Sequence, residues 1–298
     1  MSDLLEGWSF PVSETIPISG LKILDHTFVK APNNGPAYFN CFGRHESPKA
    51  HRLEGASGMG SYAVANCYRL PFVLPDAAGL GVYARHGVCH QAANRFLWSA
   101  CGWLTGPTVH DAQAYYLSFS IYGTYGRPLW VLPPPAFFPP SPEPPPDFAA
   151  IYAKCNLLGG TPSVEEDRSA VPKQFHGRII ALHQQLHAKQ VAHDPNVVIN
   201  EELRLLVEAH LGADFEFGRI QEIRSGALQR ANKVATSDLR GAAFANEINV
   251  VAVEYLDGME KHLGSENYSR LLKIPPRERY ALVDPGLAEQ AGSRGTGA

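Results

Sequence analysis

Several features are too scarce in this sequence for it to belong to some common protein classes. Its 298 residues hold five cysteines, at 41, 67, 89, 101 and 155, with no C-x-x-C pair among them. An odd, widely spaced set argues against a disulfide scaffold or a zinc ribbon and favours a reducing compartment. No apolar run approaches the roughly 20 residues of a membrane span, so no membrane span is expected. The start, Met1-Ser-Asp-Leu-Leu-Glu-Gly-Trp8, is acidic and lacks the basic segment of a secretory signal, which predicts a cytoplasmic location. Charged residues make up only 18 %, and the formal net charge of -3 gives no general electrostatic reason to bind nucleic acid or an anionic membrane. No internal repeat is present. Apolar residues make up 45 %, in a chain long enough for one large domain or two modest ones around a buried core.

The chain is organised around Gly87-Val-Cys-His-Gln-Ala-Ala-Asn-Arg-Phe-Leu-Trp98. Gly87 ends an irregular run, and from Cys89 onward the residues are compatible with a helix. A cysteine in a first helical turn meets unpaired backbone N–H groups and the positive end of the helix dipole, and both favour thiolate over thiol. Cysteine hydrolases and acyltransferases present their nucleophile in this way. A buried structural cysteine is the plain alternative, but His86 and His90 are unusual neighbours for a purely apolar site.

Upstream, Ile18 to Lys30 is strand-like, with Leu24, His26, Phe28 and Lys30 on one face. The turn residues Pro32 to Pro36 and the returning run Ala37 to Gly43 predict a hairpin that places Asn40 on the strand beside His26. Residues 46–62 are polar and glycine-rich and read as a loop. The Gly55-Ala-Ser-Gly-Met-Gly60 run matches neither the dinucleotide nor the P-loop pattern. Thr108 to Tyr122, rich in aromatic residues, predicts strands. Nine of the fourteen residues from Pro133 to Pro146 are proline, which predicts an extended linker over 133–147. Helices are expected over Pro172 to Val191, Asn200 to Leu211, Phe215 to Val234 and Ala242 to Leu263. Their apolar stripes must be covered, and the Cys89 half of the chain is the surface at hand. A small, polar tail over 286–298 reads as disordered.

A thiol nucleophile needs a base, and the base needs an orienting group. His90 is the next residue on the helix, and helical neighbours point about 100° apart. His86 serves only if its loop folds back. His110 opens the next segment beside Asp111, which could orient it. His26 lies on a strand beside Asp25, and a strand packed on the cysteine helix gives the most rigid geometry.

The order Leu24-Asp-His-Thr-Phe-Val29, a second short strand with a polar residue, then Gly87-Val-Cys89 opening a helix resembles the circularly permuted branch of the papain-like fold. That branch is related to NlpC-type cell-wall peptidases and lecithin:retinol acyltransferase. The likeness covers about residues 20–130 and rests on element order and three residues. It implies Cys89 as nucleophile, His26 as base and Asn40 as the orienting residue. Val88-Cys89-His90 stands where the acyltransferases have Asn-Cys and the NlpC peptidases Asp-Cys-Ser, so the substrate class stays open.

His176, His183 and His187 form a second constellation, on one face of the helix after Pro172, with His193 following. His183 and His187 have the spacing of a zinc-binding pair, but Gln184 stands where a zinc peptidase has its glutamate base. The expectation is therefore an enzyme without metal or cofactor. It is an α+β thiol-dependent domain over 10–132, joined to a mostly helical region over 148–285. It would attack an amide or ester carbonyl of a peptide or other amide-containing substrate through a Cys89 thioacyl intermediate. The rival is a non-catalytic protein whose helical half engages a partner or a metal through the histidine stripe. Oligomeric state is not legible.

Overall fold

A computed structural model of the chain describes residues 3–11, 21–30, 38–39, 47–60, 83–85, 87–101, 108–124, 126 and 195–294. Over these residues it combines helices with a small antiparallel sheet. The strands are β1 (Asp3–Phe10), β2 (Lys22–Ile23), β3 (His26–Lys30), β4 (Tyr38–Phe39), β5 (His51–Gly60) and β6 (Tyr280–Ala281). The helices are α1 (Cys89–Cys101), α2 (Tyr115–Tyr122), α3 (Pro195–Leu211), α4 (Gly218–Ala235), α5 (Gly241–Leu272) and α6 (Pro285–Arg294).

The four-stranded sheet runs β4-β3-β1-β5. The β3–β4 hairpin pairs Val29 with Phe39 and Lys30 with Tyr38, as the turn residues between them predict. One of the two inner strands is β1, which lies upstream of residue 10, where the sequence placed the start of the domain. Its alternation turns Leu5, Gly7 and Ser9 to one face and Glu6, Trp8 and Phe10 to the other. Gly7 is required by close approach, since a Cβ there would lie 2.6 Å from Ala56 Cβ and 3.2 Å from Val109 Cγ1.

Residues 51–60 form a strand and not the expected loop. Their glycines and alanine are what let this edge lie tight against β1. The pairing jumps from Glu6↔Ser57 to Trp8↔Arg52, and Gly55, with φ 69°, lies in the extra length.

Residues 115–122 are also a correction: they form a helix, not strands. Every one of their side chains is buried, so no one-sided pattern marks the helix, and burial on all sides overrides the strand preference of the aromatics. Ser118 and Ser120 turn back onto the carbonyls of Tyr115 and Tyr116, each at 2.8 Å, which satisfies their hydroxyls inside the helix.

Three of the four expected helices correspond to α3, α4 and α5, the last broken at Gly264 (φ 70°, ψ 164°) just after the predicted end. The helix after Pro172, the Pro133 to Pro146 run and the histidines 176, 183, 187 and 193 lie outside the described residues. Residues 286–294, read as part of a disordered tail, belong to α6. Asp284 caps this helix by accepting from the N–H groups of Gly286 (2.8 Å) and Leu287 (3.2 Å), with Pro285 at the first helical position. Glu289 accepts in turn from the Ala242 N–H at the start of α5 (2.9 Å).

One buried cluster runs from Leu5 and Val29 of the sheet through α1 and α2 into α3, α4 and α5. Among the described residues this cluster takes in side chains from both sides of the proline-rich run. Fully buried Arg224 of α4 donates to the Ser120 carbonyl at 3.1 Å and to Asn200 Oδ1. The Tyr255 and Ser120 hydroxyls pair at 2.8 Å.

His210 on α3 is nearly buried against Tyr116, with Lys273, Arg270 and Asp111 around it. Burial first, then the two cations, lowers its pKa to about 4 from 6.5. The folded state thus favours neutral His210 while the unfolded chain takes up the proton below about pH 6.5. Stability should be flat above that pH and fall by about 3 kcal/mol as the pH drops from about 6.5 to 4. Urea unfolding across this window should show a visibly shallower loss for His210→Gln. An identical slope in the variant would assign the acid sensitivity to other groups.

Candidate active site

Cys89 is the first residue of the 13-residue helix α1 and is buried. The turn before it is fixed from several sides. Ala84 takes a left-handed conformation (φ 69°) and its N–H donates to the Gly87 carbonyl at 2.9 Å, while the Tyr122 hydroxyl donates to the Ala84 carbonyl. Arg85 reaches the carbonyls of Ala235 (2.8 Å) and Leu239 (3.2 Å) at the end of α4 and lies over the Phe244 ring. The Tyr83 hydroxyl accepts from the Asp284 N–H at 3.1 Å. The expected contribution of the helical region is thus visible as tethers on the cysteine turn.

The start of α1 is fixed by its own side chains. Gln91 Oε1 accepts the Val88 N–H at 3.1 Å, half of a capping box, while its Nε2 donates to the Gly123 carbonyl (3.0 Å) and to Ser118 Oγ (3.2 Å). One turn on, Asn94 accepts the Val109 N–H (2.8 Å) and donates to the Thr124 carbonyl (2.9 Å) and the Tyr115 hydroxyl (3.1 Å). His90, Gln91 and Asn94 are all fully buried. Together they form a polar stripe that locks α1 to α2 and to the segment before it.

The thiol of Cys89 donates to the Asp25 backbone carbonyl, with Sγ···O at 3.3 Å. That carbonyl immediately precedes β3, whose first residue is His26. The His26 ring lies edge-on to Phe10 (centroids 5.2 Å apart) and stacks with Phe28 (6.2 Å), so it shares the sheet face of Phe10 and Phe28. The Asp25 carboxyl takes the Ser9 hydroxyl at 3.2 Å. Burial raises its pKa, against the pull of His90, Ser9, the Gln113 N–H and His51. The Gln113 side chain continues to the Tyr280 hydroxyl (2.7 Å), which donates to Glu278 (3.0 Å), so the end of the chain reaches this neighbourhood.

The structure therefore brings Cys89 and His26 to the same end of β3. Asn40 and His86 lie outside the described residues. His110 Nδ1 is 2.9 Å from Thr108 Oγ1, and its ring fits against Gly55. Asp111 forms an ion pair with Lys273 of the C-terminal region. Among the described residues no group of three His, Cys, Asp or Glu could hold a metal, and no helix is long and apolar enough to cross a membrane.

Sequence reasoning assigned no role to Gln91, Asn94 and Ser118. The signal for two of them was present as amide side chains three apart on a helix otherwise filled with Ala, Leu and aromatics. His90 was set aside on the angle between helical neighbours, and its Nδ1 lies 2.8 Å from Ser118 Oγ of α2. No family model, curated protein or solved structure matches this chain.

Proposed function

We propose that this protein is a thiol-dependent hydrolase or acyltransferase in which Cys89 attacks an amide or ester carbonyl. The observation that carries the reading is the placement of the Cys89 thiol in the first turn of α1, 3.3 Å from the backbone oxygen that leads into His26. Sγ forms the thioacyl bond. The oxyanion is received by the backbone N–H of Cys89, in a turn where no carbonyl of the helix can accept it. His26 accepts the thiol proton as Sγ attacks, gives it to the leaving amine or alcohol, then draws one from the water or amine that resolves the thioacyl group. Water as acceptor makes the protein a peptidase or amidase; an amine makes it a transferase. The permuted papain-like order, with the histidine strand ahead of the cysteine helix, supports this assignment, with Asn40 as the residue that orients the imidazole.

Iodoacetamide near neutral pH tests the reading. Cys89 should be carboxamidomethylated at least about tenfold faster than any of the other four cysteines, because thiolate and not thiol is the nucleophile. Equal labelling of all five, read by peptide mass spectrometry, would refute it.

A further inference from the structure

Two features at the start of α1 pull the Cys89 sulfur in opposite directions. The first helical turn favours a thiolate. Against it, the thiol donates to the Asp25 backbone carbonyl, with Sγ···O at 3.3 Å. A hydrogen bond that only the neutral form of a group can make disfavours its charged form. A thiolate at this distance has no proton to give and faces the negative end of the carbonyl dipole. The Asp25 oxygen therefore favours the thiol in the resting arrangement.

We infer that Asp25 is a positioning residue that restrains Cys89 as a resting thiol, its side chain anchoring the backbone carbonyl to which the thiol donates. The inference rests on the assignment of Cys89 as nucleophile and adds a restraint on that same site. The Asp25 carboxyl is nearly buried and is tied on two sides. The Ser9 hydroxyl of β1 donates to its Oδ2 at 3.2 Å, and the Gln113 backbone N–H donates to it from the segment ahead of α2. Gln113 is held in turn through its side chain by the Tyr280 hydroxyl at 2.7 Å. From the other direction, the pairing of Ile23 with Ala281 fixes the chain two residues before Asp25. With its carbonyl so anchored, the thiolate forms when Sγ turns off this oxygen by rotation about the Cα–Cβ bond. The electron pair of the S–H bond stays on sulfur and the proton passes to His26, so the nucleophile stays protonated until a substrate draws it away.

The other ionisable groups on the elements around this contact are His26 of β3, His51 of β5, Tyr115 of α2, Tyr280 of β6 and His90 of α1 itself. The strand β1 turns Leu5, Gly7 and Ser9 to this side. A protonated histidine favours a thiolate, so none of the three histidines accounts for a proton held on sulfur. The Asp25 carboxylate can favour the thiol through its charge as well as through its anchoring of the carbonyl, and the two effects are separable by substitution.

The test is the pH profile of Cys89 alkylation by iodoacetamide in the intact chain, with the fold monitored by circular dichroism. Asp25→Ala removes both anchors and should label Cys89 about threefold faster than wild type at about pH 6.5. A drop of about one in the thiol pKa gives about tenfold more thiolate, and the lower nucleophilicity of that thiolate offsets about threefold of the gain. At about pH 10, where the thiol ionises unaided, the variant should match wild type or fall slightly below it. Asp25→Asn should stay close to wild type, because its amide oxygen takes the Gln113 N–H and its amide nitrogen donates to Ser9. Ser9→Ala keeps the charge and removes one anchor. It should shift the profile in the direction of Asp25→Ala, and it decides the matter if Asp25→Ala does not fold. A wild-type profile in whichever of these two folds overturns the restraint. Equal shifts in Asp25→Asn and Asp25→Ala trace the effect to charge, and a faster rate at every pH traces it to access; either result also overturns it. Failure of an activated aryl ester to leave an adduct on wild-type Cys89 instead overturns the thiol-enzyme reading.

Discussion

Cys89→Ala should give a folded protein with no turnover. The substitution removes one sulfur from a nearly buried first-turn position, and the lost contacts should cost about 1 kcal/mol of stability. The rest of the turn is held by groups the mutation leaves alone: Arg85 on the Ala235 and Leu239 carbonyls, and Gln91 on the Val88 N–H. Incubation with an activated aryl ester should produce a burst and a covalent adduct on Cys89 in wild type. Neither should occur in the variant. Cys89→Ser is the sharper comparison. Its hydroxyl can still donate to the Asp25 carbonyl but does not ionise near neutral pH, so geometry is retained while nucleophilicity is lost. Full esterase activity in either variant would move the chemistry away from this helix.

Asn94→Ala should be the most destabilising single change near the site. Asn94 satisfies the Val109 N–H and the Thr124 carbonyl in a place where both are cut off from water. Truncation removes the acceptor of the Val109 N–H, and the Thr124 carbonyl and the Tyr115 hydroxyl each lose a donor, at about 1–3 kcal/mol for each buried group left unsatisfied. A total of about 3–5 kcal/mol is expected by urea unfolding. Asn94→Asp keeps the acceptor for Val109 but has no N–H for Thr124, and it brings a carboxylate into a buried position, so it should not restore stability. A loss under about 1 kcal/mol for Asn94→Ala would mean that water or a neighbouring side chain substitutes for the amide.

The legible parts of this molecule were those in which one side of an element differs from the other. Glycine followed by cysteine and alanines announced the start of α1, turn residues announced the β3–β4 hairpin, and one-sided apolar spacing announced α3 and α5. The unread parts lack that contrast. Tyr115 to Tyr122 is apolar or small on all sides because α1 and the C-terminal helices enclose it. Residues 51–60 look like loop because small residues are what close packing against Gly7 demands. The capping signal Asp284-Pro285 was readable, but the small residues after it drew the reading towards disorder. At the site, the cysteine and the strand histidine could be anticipated from types and spacing. The hydrogen bond from the thiol to the Asp25 carbonyl could not, because a backbone oxygen carries no signature in the sequence.

The parallel pairing of β2 with β6 joins Lys22 to Tyr280 and Ile23 to Ala281, and the Lys22 N–H donates to the Arg279 carbonyl at 3.1 Å. The segment leading into Asp25 and His26 is therefore finished by residues near the far end of the chain. On the ribosome, the first strands emerge long before their last partner is translated, and contacts of this sequence separation form late. A nascent chain would carry Cys89 without the support that sets its neighbourhood. The surroundings of Cys89 are in this way completed only after residues 279–281 have been made.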